Sequence, residues 1–155
     1  LDAWAALERY HALRIPGVQI RRAFAGQHMA IRLELQLPPD EVGLFCLEAT
    51  AVTVQRGIEL IIGRRLREAE IRFGYPAPAH AGSYAGYFNS PYVFGADETE
   101  ILVPLPLLEQ PNPFHDRAIY EQALRQCEQL EQARYRDVDD VVLVTDVFTE
   151  PSLTQ

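Results

Sequence analysis

Apolar positions switch between two periods along the chain. From Leu1 to Leu13 they recur at helical spacing, with Trp4, Leu7 and His11 on one face. Pro16-Gly17 ends that helix. The period then drops to two. Val18, Ile20, Arg22 and Phe24 alternate with Gln19, Arg21 and Ala23, and Met29, Ile31, Leu33, Leu35 and Leu37 alternate with Ala30, Arg32, Glu34 and Gln36. This predicts an antiparallel hairpin around Gly26, Val18–Phe24 against Met29–Leu37, with one wet face. Pro38-Pro39 breaks the second strand. Asp40 suits an N-cap, Glu41 suits the first helical turn, and Gly63 suits the C-terminal stop. The span between predicts a long helix, held by packing because Thr50, Val52, Thr53 and Val54 have middling helix propensity.

Ile71, Phe73 and Tyr75 alternate as a third strand, stopped by Pro76 and Pro78. His80 to Phe88 reads as a short helix with Tyr84, Tyr87 and Phe88 available for burial. Tyr92–Phe94 and Glu100–Val103 flank Gly95-Ala96-Asp97 and read as a second hairpin. Leu105 to Phe114 is a Pro-rich connector. Asp116 caps a last amphipathic helix with the stripe Ile119, Ala123, Cys127 and Leu130. Val138, Val141, Val142, Thr145 and Phe148 keep helical spacing, though their valine content equally suits a strand. The expectation is an α+β fold: a mainly antiparallel sheet with helices packed on one face.

At 155 residues and 48% hydrophobic, the chain is long enough for one buried core and too apolar for disorder. Its apolar runs are too short or too interrupted for a membrane span. The net charge is -8, and every basic residue is Arg. Such an acidic surface repels phosphate backbones, so this chain alone is a poor nucleic-acid binder. Cys46 and Cys127 lie far apart, without metal-ligand spacing, and read as small core residues of a reducing compartment.

Catalytic chemistry finds no foothold. The chain has no Gly-rich phosphate loop, no Gly-x-Ser-x-Gly elbow and no His-Glu-x-x-His. The histidines His11, His28, His80 and His115 are scattered, so neither metal nor cofactor is expected. Asp97, Glu98 and Glu100 read as a solvated turn. Arg64, Arg65 and Arg67 read as a solvated loop or as an anion contact. Binding candidates are sharper. Arg22 shares the apolar register of its strand, and a core-facing Arg needs a carboxylate or an anionic ligand unless it snorkels at the strand end. Tyr75, His80, Tyr84 and Tyr87 form either a pocket with hydroxyl handles or a core aromatic cluster.

With the order helix, hairpin, long helix, strand, short helix, hairpin, helix, the chain resembles the arabinose-binding-like, ligand-sensing domain of AraC-type bacterial transcriptional regulators. The residues that carry this are Ile31-Arg32-Leu33-Glu34-Leu35, Ile71-Arg72-Phe73-Gly74-Tyr75-Pro76-Ala77-Pro78, Tyr84 with Tyr87-Phe88, Pro91 with Val93-Phe94-Gly95-Ala96, and Ile101-Leu102-Val103-Pro104. The family often has His where Tyr75 stands. Tyr75 replaces its hydrogen bonding but not its charge. The resemblance implies a ligand-sensing and dimerisation domain over 1–136 and a linker at 137–155 to an absent C-terminal helix-turn-helix domain. The implied partners are a small-molecule effector, a second copy in a homodimer, and DNA only through that absent domain, in the cytoplasm and without a membrane. A stand-alone small-molecule binding protein is the alternative. A carboxylate metabolite, a fatty acid and a nucleotide messenger all remain open as effectors. The dimer surface is expected on Asp116–Arg136, where Tyr120, Leu124 and Tyr135 widen the stripe. The competing reading folds this helix onto its own domain.

Overall fold

A two-residue loop, Gly26-Gln27, closes the first hairpin between β1 (Val18–Ala25) and β2 (His28–Leu35). Gly26 has φ 59°, the left-handed value that a tight hairpin loop asks of its first residue. The computed structural model describes residues 2–13, 15–110 and 116–147, and only the backbone at 2, 3, 12 and 135–147. Residues 1–115 and 116–155 form two compact units.

In the first unit, β2, β3 (Glu70–Phe73), β4 (Tyr92–Phe94) and β5 (Glu100–Pro104) join β1 in one sheet of order β1-β2-β5-β3-β4. All pairings are antiparallel except β3 with β4. Period two sorts the residues cleanly. Ile20, Leu33, Ile31, Ile101, Ile71 and Phe73 are buried on one face, in a single cluster with α1 (Asp2–Tyr10) and α2 (Glu41–Ile62). The opposite face carries a row of cross-strand neighbours, Arg21, Arg32, Glu100 and Arg72. Arg32 pairs with Glu98 at 2.9 Å, and Arg72 with Glu70 at 2.8 Å and with Glu100 at 3.2 Å.

The second hairpin expected from Tyr92–Phe94 and Glu100–Val103 does not form. β3 stands between the two strands, with β4 on its outer side and β5 on its inner side. The physical reason lies at Gly74. Its amide donates to Thr99 Oγ1 at 2.9 Å, and a Cβ there would come within 3.0–3.2 Å of the Glu98–Thr99 backbone. The chain therefore crosses the end of β3 in close contact before it re-enters the sheet. Ala96 N–H donates to the Phe73 carbonyl at 3.1 Å and Gly95 N–H to the Tyr75 carbonyl at 2.9 Å, pinning the crossing. Tyr75 itself lies just past β3 rather than in it.

α2 begins and ends where expected. Asp40 accepts from the Gly43 N–H at 2.9 Å, and Gly63 closes the helix at φ 71°. Leu47, Ala51, Val54, Ile58 and Ile62 form its core stripe. Parallel strands require a crossover. The one from β3 to β4 carries a 3-10 helix, Ala81–Gly86, which seats Tyr84 against Phe73 at a ring distance of 5.3 Å. A short α3 (Leu105–Leu108) follows β5.

In the second unit, α4 runs Arg117–Val147, so the valine-rich stretch from Val138 is helix rather than strand. Asp116 accepts from the N–H groups of Ala118 and Ile119 at 2.9 and 3.1 Å. Ile119 and Leu130 are exposed. Both cysteines are free and half-buried; Cys46 packs against the core cluster, whereas Cys127 of α4 does not, which corrects its reading as a core residue. His115, Phe148 and the run 150–155 lie outside the described residues, as does the side chain of Tyr135.

Candidate functional site

α2 has a second face. Phe45, Glu48, Ala49 and Val52 follow helical spacing beside the core stripe and look toward the 3-10 helix. Between them lies a cavity of about 460 Å³, with His80, Tyr84 and Tyr87 on its far side. Glu48 is the only charged residue between Glu41 and Arg56. Its Oε1 accepts a short hydrogen bond from the Tyr84 hydroxyl and lies 3.1 Å from His80 Nε2. The Tyr75 hydroxyl is 3.2 Å from that of Tyr84. Tyr75, Tyr84, Glu48 and His80 are thus one polar chain laid across an aromatic cluster.

Burial, then the hydrogen bonds with Glu48 and Tyr75, pushes the Tyr84 phenol well above its ordinary range. Burial pushes Tyr75 up to about 12, against the opposing effect of its hydrogen bond with Tyr84 and with the Glu48 charge adding to the rise. Both hydroxyls stay protonated and serve as neutral hydrogen-bonding groups.

The far wall is held from beneath. Gln55, fully buried, donates through Nε2 to the Tyr87 carbonyl at 3.1 Å and accepts the Asn89 N–H at 2.9 Å. Glu59 accepts from the Leu66 N–H at 3.0 Å, from Asn89 Nδ2 and from Arg56. Ser90 Oγ donates to the Leu66 carbonyl at 2.8 Å.

Of the residues singled out in the sequence, the structure brings Tyr75, His80, Tyr84 and Tyr87 together. Tyr84 is buried, while His80 and Tyr87 stand at the exposed rim. Arg22 is elsewhere. It faces the inner side of the edge strand β1, opposite Ile31, and its Nε meets Glu8 of α1 at 2.8 Å with both side chains about three-quarters shielded. Glu48 is the residue that sequence reasoning missed. His11 is a satisfied core histidine: its Nε2 lies 3.4 Å from Thr50 Oγ1, which itself donates to the Cys46 carbonyl at 2.7 Å, and burial lowers its pKa. Among the described residues no cluster of His, Cys, Asp and Glu suits a metal ion. A second depression, about 610 Å³, lies over Arg32, Arg72, Glu98 and Glu100, whose charges compensate one another. No described helix is long and apolar enough to cross a membrane.

Residues 1–112 match the family model described as the arabinose-binding domain of AraC transcription regulator, N-terminal. The chain belongs to that family. It is a ligand-sensing regulatory domain, and its relatives are regulators rather than enzymes. One relative is the ornithine utilization regulator of Pseudomonas aeruginosa, 27% identical over 100 residues, which are 64% of this chain and 30% of that protein. The crystal structure of the transcriptional regulator CdpR, also from Pseudomonas aeruginosa, superposes with a TM-score of 0.53 at 19% identity. That match covers 88% of this chain and 47% of CdpR, and it shows shared fold alone. The chain therefore spans less than half the length of either protein.

Proposed function

We propose that this domain senses a small-molecule effector in the cavity between α2 and the 3-10 helix, and that occupancy controls a DNA-binding domain of the full regulator. The observation that carries this reading is the convergence of Tyr84, Glu48 and His80 in an otherwise apolar cavity, with the Tyr75 hydroxyl behind that of Tyr84. Arg22, satisfied by Glu8, serves the frame rather than the effector. The mechanism is a population shift: an effector changes output only so far as it binds one arrangement of the regulator better than another. Its place of action is the cytoplasm, where the DNA is. The family to which the chain belongs and the name of the ornithine utilization regulator, of which it matches 30%, support this wider role.

Dimerisation belongs to the same proposal, through the apolar stripe of α4 that carries Ile119, Ala123, Cys127 and Leu130, with Leu124 widening it. Two exposed large apolar side chains on one helix suit a helical partner. Two experiments test the reading. A thermal-shift screen should find compounds that stabilise the wild-type chain but not Ala49→Trp, whose indole fills the cavity; hits that stabilise both equally would move the effector elsewhere. Sedimentation at micromolar concentration should show a dimer that Leu124→Glu dissociates, and a strictly monomeric wild type would remove the dimer.

A further inference from the structure

We propose that the ligand class of this cavity is cationic: an ammonium group borne on a compact apolar or aromatic body. The proposal rests on the reading of the cavity as the effector site and narrows it. Among the lining residues Glu48 carries the only fixed charge, and neither Arg nor Lys is present. Its Oε1 already accepts from Tyr84 and faces His80, while Oε2 takes no hydrogen bond from any described residue. An ionised carboxylate only accepts, so the group that completes it must donate. A ligand carboxylate or phosphate would meet a like charge there, and the one titratable base of the lining, His80, already faces Glu48 at 3.1 Å. That removes the carboxylate metabolite, the fatty acid and the nucleotide messenger in their anionic forms. A free α-amino acid is disfavoured for the same reason, since its own carboxylate lacks a partner.

The walls agree with the floor. His80 stacks on Tyr84 at a ring distance of 5.7 Å, and Tyr84 meets Phe88 at 5.5 Å. Aromatic faces within about 6 Å of a cation attract it through the ring quadrupole. Phe45 and Tyr87, both largely exposed at the rim, offer further rings to the apolar body. A carboxylate with one unused oxygen beneath a ring-lined opening is chemistry for an alkylammonium head.

Isothermal titration of the full 155-residue chain tests this with three probes sharing one body: phenethylammonium, 2-phenylethanol and phenylacetate. We expect the ammonium to bind roughly tenfold or more tighter than the alcohol, and the acetate weakest, as a charge-assisted hydrogen bond implies. Glu48→Gln, which keeps an amide oxygen for Tyr84, should close the gap between ammonium and alcohol, while Glu48→Asp should retain part of it. Phenylacetate binding as tightly as the ammonium, or an ammonium preference that survives Glu48→Gln, overturns the proposal. Alcohol binding that Ala49→Trp abolishes, without an ammonium preference, overturns the ligand class and leaves the cavity as the site. Ammonium binding indifferent to Ala49→Trp overturns both, and so does silence from all three probes at millimolar concentration.

Discussion

Tyr84→Phe removes one atom from the centre of the polar chain and leaves its ring. The ring contacts to Phe73, Phe88 and Phe94, at 5.1–5.5 Å, stay in place. What is lost is the hydrogen bond donated to Glu48 and the contact with Tyr75. A hydrogen bond to an ionised group contributes about 1.5–3 kcal/mol to stability. Glu48 remains 20% exposed, so water replaces part of it, and the expected loss is about 1–2 kcal/mol. Tyr84→Ala, by contrast, opens a cavity beside Phe73 and should cost about 3–5 kcal/mol. Urea unfolding reads both as lower midpoints with little change in slope. A double-mutant cycle with Glu48→Ala, which removes the acceptor, should return a coupling of about 1 kcal/mol. The pH dependence adds a second signature. The native state holds the Tyr84 and Tyr75 protons above the pH near 10 at which the unfolded chain releases them. Their contribution is complete below that pH and is lost as the pH rises toward and past 12, so wild-type stability declines on the alkaline side. Tyr84→Phe should flatten that decline. A variant within about 0.3 kcal/mol of wild type, or strictly additive with Glu48→Ala, would refute the polar chain as drawn.

Arg22→Ala should lose about 1 kcal/mol in denaturant unfolding, the order expected of a mostly shielded ion pair, and leave affinity at the cavity unchanged. Glu59→Gln should cost about 1–3 kcal/mol at neutral pH. Burial alone would raise the Glu59 carboxyl, but hydrogen bonds from Leu66, Asn89 and Arg56 outweigh it and hold the group below its ordinary value. The Glu59 contribution is therefore present above the ordinary carboxylate range and fades as the pH falls through the lower native value, and unfolding curves of wild type and variant should converge in acid. Two glycines of α2 should respond with opposite signs in thermal melts. A Cβ at Gly43 would lie 2.2 Å from the Pro38 carbonyl, so Gly43→Ala should cost about 1–3 kcal/mol. Nothing lies within 4 Å of a Cβ at Gly57, so Gly57→Ala should gain about 0.5–1 kcal/mol.

Where physics is local, the sequence disclosed the structure. Strict alternation placed Val18–Phe24 and Met29–Leu37 in a hairpin with the correct inner face, although the second strand ends at Leu35, and Asp40 and Gly63 bounded α2 because caps act on adjacent backbone. The failures are tertiary. Two short strands around Gly95 read as a hairpin because nothing in that stretch reveals that β3 intervenes; the signal was Gly74, a residue that admits another backbone. Phe24 keeps the inner register yet is 68% exposed, because its edge strand carries it past the cover of the helices while its partner Met29 lies between two strands and is buried. Tyr75, His80, Tyr84 and Tyr87 were legible as a group because they sit within 13 residues, though only His80, Tyr84 and Tyr87 line the cavity and Tyr75 reaches it through Tyr84. Glu48 was not, since it lies on another element. Its trace was chemical: one carboxylate in an otherwise uncharged stretch of helix, a placement that costs stability unless something satisfies it.

α2 joins the two halves of the functional argument. Its core stripe holds the sheet, and the next face supplies Phe45, Glu48, Ala49 and Val52 to the cavity. Further along, Gln55 and Glu59 anchor the segment from Tyr87 to Asn89 that closes the far wall. The same helix therefore positions both sides of the opening, so a ligand that bridges Glu48 and the aromatic wall tightens contacts that also stabilise the crossover between β3 and β4. Coupling of this kind is reciprocal. A ligand of this cavity that draws affinity from the anchored wall would be weakened by loss of the Gln55 or Glu59 contacts, and would in turn protect the segment from Tyr87 to Asn89. The cavity thus lies between α2 and the crossover from β3 to β4, and a regulator needs such a joint if a bound molecule is to be registered by the fold.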